Sequence, residues 1–353
     1  MEKTPAAGIA AAIIGLGRIA GILEDDTRRE KPCTHAGAIR ANPDCVLSGG
    51  CDISEERRRL FSERWAVPVY AEAAEMLSVH KPQILVIATH PDSHYHYCRL
   101  AAASGVPVII CEKPLADSLS DARKIASLVK RGRFTGQSAI ITNHERRYSA
   151  NYIKAREILA GGKLGSIQSV RAVLYMGKNK RLLDVFWHDG THLADAIMFL
   201  SGSELKHRRR WGKKLTSSSG TAWLEGELES CRNNKVSPNL GALAPWRDRI
   251  PVVIEVGAGR DHLVFEIEFS CEKGRLRIGN GIFEVWESAE SPYAEKFRSL
   301  KLSGETFNGP TGYFANMIAD AVSCVSEPGR QPLSSAEDGL RVIEYLHSVK
   351  AWR

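Results

Sequence analysis

The sequence predicts an α/β protein built in two parts. The first is a doubly wound parallel sheet; the second is an α+β domain with an open, mostly antiparallel sheet. Three observations carry this. Over about the first 145 residues, short near-continuous apolar runs alternate with helix-like stretches, the pattern of parallel strands covered on both faces. Beyond residue 150 the runs turn to period-2 or mixed character with glycine turns between them, as in a sheet open on one face. Finally, 353 residues are too many for one average domain and suit two. The boundary is placed at residues 1–145 and 146–353, with the last helix able to pack back on the first domain.

In order along the chain, the apolar runs at 9–14, 46–52, 84–89, 106–112 and 134–142 are the first-domain strands. Helices are expected at 54–65, 92–104 and 118–131, the last opening on a Ser118/Ser120 cap signal. In the second domain, 152–160 reads as helix and 166–176 as the start of a new pattern. Strands follow at 221–229, 251–257, 262–271, 274–279 and 282–287, with turns at Gly257–Gly259, Gly274 and Gly279–Gly281. Helices at 311–326 and 335–350 close the chain. Residues 206–220 hold six Lys or Arg and a serine run, which reads as a solvated surface loop rather than a phosphate or nucleic-acid patch.

Composition excludes several classes. With 43% hydrophobic and 25% charged residues the chain is an ordinary folded one. Its net charge of +7, spread over this length and without a recognition module, argues against nucleic acid as a partner. No run of 18 apolar residues exists to span a membrane. Residues 5–17 have the length of a signal-peptide core, yet Glu2 and Lys3 give no clear positive start and the run ends in glycines, so it reads as the first strand. The eight cysteines, Cys231 among them, contain no C-x-x-C pair, which favours a reduced cytoplasmic protein without structural zinc.

Three groups of residues carry chemistry. Gly15-Leu16-Gly17-Arg18-Ile19-Ala20 is a G-x-G-x-x-A directly after the first strand. In a Rossmann-type dinucleotide site Gly15 permits the turn and Gly17 lets the backbone approach a pyrophosphate. Ala20 keeps the following helix close to the sheet, and that helix turns its N–H groups to the anion. Asp52, ending the second strand, is the acceptor for an adenosine ribose diol; its charge repels a 2′-phosphate, so NAD is favoured over NADP. The spacing exceeds the usual ~20 residues, which an insertion at 23–35 explains. Its Arg28, Arg29 and Lys31 either meet an anionic part of the substrate or are solvated among Glu24, Asp25, Asp26 and Glu30. The alternative for Asp52 is a carboxylate at the start of helix 54–65.

Second, Glu112-Lys113-Pro114 follows the strand at 106–111. A lysine at the carboxyl end of a central parallel strand lies where open α/β sheets bind ligands, and Pro114 confines its backbone to extended conformations. Third, in Trp187-His188-Asp189-Gly190-Thr191-His192 a helix begins near Asp189 or Gly190. This puts His192 in a first turn, where the positive helix end favours neutral imidazole, suited to accept a proton. Asp189 is a candidate cap. His188 and His192 lie four apart, but no third ligand is evident for a metal.

These motifs together resemble the Gfo/Idh/MocA family of oxidoreductases. The blocks are GLGRIA, ATHPDSHYHYCRLAAASGVPVIICEKPLA at 88–116, NHERRY at 143–148 and GTHLAD at 190–195, in the family's order over nearly the whole chain. The resemblance implies an N-terminal Rossmann domain, a C-terminal α/β domain, and homodimers or homotetramers. It implies NAD- or NADP-linked chemistry on a secondary hydroxyl of a sugar, cyclitol or nucleotide sugar. It assigns the catalytic lysine to Lys113 and the catalytic histidine to His192. Many members carry aspartate four residues before that histidine; here His188 stands there and Asp189 one step on, so which of them completes the dyad is open. The resemblance further puts Thr89, His94 and Glu112 with Gly15, Gly17, Arg18, Ile19, Ala20, Asp52 and Lys113 at the cofactor, and Arg147, Tyr148, Trp187 and His188 at the substrate.

The expectation is therefore a cytoplasmic NAD-dependent dehydrogenase acting on a carbohydrate-like CH–OH group. His192 takes the hydroxyl proton while Lys113 holds the oxygen. Two alternatives stand beside it. One is a lyase or glycoside-cleaving enzyme that oxidises its substrate transiently with NAD. The other is a non-catalytic dinucleotide-sensing regulator, which should lose Lys113 and His192.

Overall fold

The computed structural model describes residues 8–131, 138–178, 180–230 and 249–351. The chain forms two compact units, one made of the residues up to Ser149 with Pro310–Ile343, the other of Ala150–Gly309 with the segment from Glu344.

In the first unit β1 (Ile9–Ile14), β2 (Cys45–Cys51), β3 (Val69–Tyr70), β4 (Ile84–Ile87), β5 (Val108–Cys111) and β6 (Ala139–Thr142) form one parallel sheet. Its order is β3-β2-β1-β4-β5-β6. β4 and β5 are buried at every residue, as expected when helices cover both faces. The helices are α1 (His35–Ala41), α2 (Glu55–Trp65), α3 (Ala73–His80), α4 (His94–Ala103) and α5 (Leu119–Arg131). Ser54 caps α2 through Arg57 N (3.4 Å), and Ser118 Oγ accepts from Asp121 N (3.0 Å) at the start of α5. A helix from far along the chain, α9 (Tyr313–Ser326), completes the core: Phe314, Met317, Ile318 and Ala321 pack with Ile84, Val108 and Ile110. Strand order reverses between β1 and β4, so the crevice at their carboxyl ends is the place where such sheets bind ligands.

One expectation here is corrected. No helix directly follows the glycine loop: turns lead into a 3₁₀ helix at Ile22–Asp25, and α1 opens only at His35, capped by Thr34 Oγ1 on Gly37 N (3.1 Å). The amides of His35 and Ala36 donate to the carbonyls of Ile19 (3.1 Å) and Ala20 (2.9 Å). The insertion thus leaves and rejoins the chain at the glycine loop, splitting the helix expected there. Pro32, which has no N–H to donate, is incompatible with an uninterrupted helix.

The second unit holds β7 (Ile167–Tyr175), β8 (Ser203–Gly212), β9 (Gly220–Ser230), β10 (Ile250–Ala258), β11 (Val264–Cys271), β12 (Gly274–Gly279), β13 (Ile282–Glu290) and β14 (Arg298–Leu302). The sheet order is β14-β13-β12-β11-β7-β10-β9-β8, and only the β7–β10 pair is parallel. Alternating burial on β11 and β12 presents one face to α6 (Ala150–Ala160) and α8 (Gly190–Ser201) and leaves the other open. Between them lies α7 (Leu182–His188); α10 (Ala336–Ala351) ends the described chain.

The loop expected at 206–220 is also corrected: its basic half is the edge strand β8. Arg208 pairs with Glu227 and Glu229, and Arg209 with Glu225, all on neighbouring β9. Opposite charges facing across a ladder make a strand of a run that reads as solvated in isolation, and a charged edge discourages further strand addition. β3, α3 and β14 were not anticipated. Seven cysteines are buried free thiols, and Cys231 lies outside the described residues, as do 134–137 of the expected fifth strand. Among the described residues no helix is long and apolar enough to cross a membrane, and no group of three His, Cys, Asp or Glu could hold a metal ion.

Candidate active site

The glycine loop sits at the carboxyl end of β1. Gly15 has φ +87°, and a Cβ there would meet the carbonyl oxygen of Ala88 at 2.6 Å and Thr89 Cγ2 at 2.9 Å. No side chain fits. A Cβ at Gly17, by contrast, would meet nothing within 4 Å, which leaves open space where a phosphate would approach the backbone. Arg18 is exposed and Ala20 is buried. Asp52 binds back to this loop: Oδ2 accepts from Leu16 N and Oδ1 from Ser54 N, both at 2.8 Å. The two readings of Asp52 therefore coexist. It orders the entry to α2, and each carboxylate oxygen keeps a further lone pair for a ribose hydroxyl. Arg57 Nη1 stands 3.6 Å from Oδ2. These residues fit a dinucleotide, with Gly15–Ala20 for its pyrophosphate and Asp52 for its ribose.

Two strands along, Glu112 and Lys113 leave β5, and the Lys113–Pro114 peptide is cis. Glu112 is a buried hub. Its Oε1 lies 2.8 Å from His35 Nε2 and accepts from Asn143 Nδ2 at 2.6 Å, while Oε2 accepts from Lys113 N at 3.2 Å. Burial alone would raise its carboxyl; the His35 bond and charge, Asn143 and Lys113 outweigh this and hold it below the usual carboxylate range. Lys113 is partly exposed, and its backbone is anchored by its N–H bond to Glu112.

Other candidates are placed less as expected. Thr89 Oγ1 accepts from Ser93 Oγ (2.7 Å) beside Gly15. His94 is fully buried with Nδ1 3.2 Å from Leu115 O and Nε2 3.1 Å from Thr89 O. Burial lowers its pKa against the help of those carbonyls, and a neutral ring, with one N–H, donates to only one of the two. Arg147 is buried, with Nη1 donating to Leu333 O (3.1 Å) and pairing with Asp338 (3.2 Å). Tyr148, 1% exposed, donates to Asp320 Oδ2 at 3.1 Å. These bonds hold the 310–343 segment, whose residues 333–335 also join β6 through Thr142 N to Ser334 O (3.0 Å). Substrate-binding roles for Arg147 and Tyr148 do not fit this placement.

In the second unit α7 ends at His188 and α8 begins at Gly190, with Asp189 between them. His192 lies in the first turn of α8, as expected, and its N–H reaches Asp189 O at 3.2 Å. Asp189 forms no side-chain cap on α8; its Oδ2 accepts from Lys180 Nζ at 3.2 Å. His188 is helical and exposed, and Thr191 Oγ1 donates to its carbonyl at 2.9 Å. Trp187 turns to the last helix, edge-on to His347 (5.2 Å), with Lys350 over its ring (5.4 Å). Its assignment to the substrate gains nothing from this.

Sequence reasoning missed His35, Asn143, Glu145 and Tyr313. Asn143 and Glu145 lie in the recognised 143–148 block. His35 and Tyr313 are joined to the strand ends only by the fold, and no local signal marks them.

The switch-point crevice, glycine loop and Asp52 define a Rossmann-type dinucleotide-binding domain. Residues 9–135 match the family described as "Oxidoreductase family, NAD-binding Rossmann fold", GFO_IDH_MocA. Over this stretch, the N-terminal part of the chain resembles the Gfo/Idh/MocA family. It is 29% identical over 166 residues to D-apiose dehydrogenase of Paraburkholderia graminis, covering 43% of this chain and 42% of the relative. With myo-inositol 2-dehydrogenase of Thermotoga maritima it shares 24% identity over 160 residues, 45% of this chain and 43% of the relative. The matched stretch is thus less than half the length of these curated relatives. The fold is also that of the WlbA dehydrogenase of Bordetella pertussis, solved with NADH and UDP-GlcNAcA. The TM-score is 0.70 at 16% identity, over 98% of this chain and 96% of that one.

Proposed function

We propose that the protein is an NAD-dependent oxidoreductase exchanging hydride with a secondary hydroxyl or ketone of a sugar, cyclitol or nucleotide sugar. The observation that carries this is the shared position of the open Gly17 backbone, Asp52 and the Glu112-anchored Lys113 at the carboxyl ends of one parallel sheet. The inositol and apiose dehydrogenases among its relatives support a polyhydroxy substrate.

Bound NAD supplies the hydride acceptor. The residues of the chain do the rest. Gly15 and Gly17 admit the pyrophosphate, and Asp52 accepts from the ribose and disfavours a 2′-phosphate. Arg57 tempers that repulsion without occupying the position directly after Asp52. The family resemblance assigns Lys113 to the reacting oxygen and His192 to its proton, which is the acid–base help such a transfer needs. In the same reading the protein is cytoplasmic and a homodimer or homotetramer.

The test is a panel of polyols, aldoses, sugar phosphates and nucleotide sugars assayed at 340 nm with NAD and NADP, beside NADH fluorescence titration. NADH binding together with turnover of a panel member is expected. Absence of dinucleotide binding would overturn the reading.

A further inference from the structure

Glu112 links two loops that have to act together if a dinucleotide lies on one and the reacting oxygen on the other. Its Oε1 takes both His35 Nε2 (2.8 Å) and Asn143 Nδ2 (2.6 Å), and its Oε2 takes the Lys113 amide (3.2 Å). An ionised carboxylate only accepts, so both side chains donate. His35 also reaches the glycine loop, where its own amide donates to the carbonyl of Ile19 at 3.1 Å. One residue thus ties the end of β1 to the end of β5, across β4. The insertion fixes the approach to His35. Glu24 Oε2 accepts from Cys33 N (3.2 Å) and Thr34 Oγ1 (2.6 Å), and Thr34 caps the helix that His35 begins. Asn143, just past β6, is set by its amide on Cys111 O at 2.8 Å.

A loop can be held at lower cost than this. His35 is 0% and Asn143 3% exposed, and the Glu112 side chain 11%. His35 Nδ1 and Asn143 Oδ1 have no hydrogen-bond partner among the described residues. A buried carboxylate and two unmatched polar atoms all oppose folding, and an apolar cluster of the same volume avoids both penalties. Departures of this kind gather where function requires a fixed geometry. What the cluster fixes here is the backbone of Lys113.

We propose that His35 and Asn143 are positioning residues for the hydride transfer: by filling Glu112 Oε1 they hold Oε2 on the Lys113 amide and set Lys113 against the glycine loop. This rests on the reading of the protein as an oxidoreductase with Lys113 at the reacting oxygen. Neither side chain touches substrate in this role; both act through Glu112. Burial raises the Glu112 carboxyl, yet His35, Asn143 and Lys113 outweigh it, so all three bonds meet an ionised acceptor. A displacement of about 1 Å at a reacting group can cost on the order of a hundredfold in rate. Loss of either donor is therefore expected in kcat rather than in binding.

The test uses the full chain as wild type, His35→Leu, His35→Gln, Asn143→Ala, Glu112→Gln and the double variant His35→Leu/Asn143→Ala, each checked for folding by circular dichroism. Hydrogen exchange read by mass spectrometry reports the Lys113 amide, with no contribution from Pro114, which has no N–H. Steady-state kinetics on a member of the polyol panel reports the reaction. His35→Leu and Asn143→Ala should speed exchange at Lys113 more than about tenfold while β4 stays within about twofold of wild type. In both, kcat should fall at least about tenfold, with KM and the NADH Kd within about threefold. His35→Gln, which still donates, should keep most of the activity. The double variant should lose no more than Glu112→Gln, since all act through one carboxylate. Should His35→Leu fail to fold, Asn143→Ala decides by the same criteria. Four results overturn the proposal: an unchanged Lys113 amide, exchange rising equally in β4, a kcat loss matched by KM or Kd, or His35→Gln as damaging as His35→Leu. If wild type oxidises a panel member and the variants keep its kcat, the positioning role fails and the oxidoreductase reading stands. No turnover of any panel member by wild type sinks that reading and the positioning role with it, even where the Lys113 amide responds to both variants.

Discussion

His35 Nε2 and Glu112 Oε1 lie 2.8 Å apart although 77 positions separate them in sequence. The bond joins the helix after the insertion to the loop carrying Lys113, and His35 is itself fully buried edge-on to Phe314 (5.0 Å). His35→Ala leaves Glu112 short of a partner in a desolvated place, and unfolding free energy should fall by about 2 kcal/mol. His35→Gln, which can still donate, should recover part of this. Urea denaturation measures both; equal losses would show that packing, not the bond, is what His35 provides.

A second consequence concerns acid. In the folded protein the carboxyls of Glu112 and Asp338 both ionise below their ordinary range. Burial opposes this in each, and His35 on one side and Arg147 on the other outweigh it. Groups with depressed folded pKa values bind fewer protons folded than unfolded. Their stabilisation is complete above the unfolded values near about 4 and drains away as pH falls through the lower folded ones. Arg147→Ala, which breaks a buried pair, should cost about 3–5 kcal/mol at neutral pH, and the difference from wild type should shrink as the pH is lowered below about 4. A difference that stays constant with pH would detach Arg147 from Asp338.

The glycine loop separates binding from folding. At Gly17 a side chain meets nothing, so Gly17→Val should change stability by under about 1 kcal/mol and weaken NADH binding more than about tenfold. Gly15→Val should instead destabilise the protein, because its Cβ would lie 2.6 Å from Ala88 O at φ +87°. Fluorescence titration and thermal unfolding of the two variants check this; unchanged NADH affinity in Gly17→Val removes the pyrophosphate from this loop.

Much of this was legible in the sequence. Both sheets, the switch-point motifs and the break before Gly190 follow from local patterns, since period, glycine and capping are short-range signals. What was not legible depends on the long-range fold. Nothing in the 206–211 run shows that Glu225, Glu227 and Glu229 lie opposite. Nothing in NHERRY shows that Arg147 is taken by Asp338, far along the chain. His94 matched a family position, but its two carbonyl partners become visible only when the loops after β4 and β5 are in place.

For the histidine pair, His192→Asn should abolish an ionisation seen in the pH profile of kcat/KM, whereas His188→Asn should change kcat by less than about tenfold. Asp189, held by Lys180 at 3.2 Å, should lower kcat strongly as Asp189→Asn. The opposite ranking would give the dyad to His188.

Lys113 is the most direct point of attack on the proposed chemistry. Its backbone is fixed through Glu112, and the glycine loop that would hold the pyrophosphate belongs to a different strand end. The decisive measurement is substrate-dependent NADH formation by wild type and Lys113→Met, with the NADH Kd of each. Turnover should fall by well over tenfold, more than about 1.4 kcal/mol of barrier, at a nearly unchanged Kd. A variant that keeps more than about a tenth of wild-type kcat would make Lys113 a bystander and contradict the proposed chemistry.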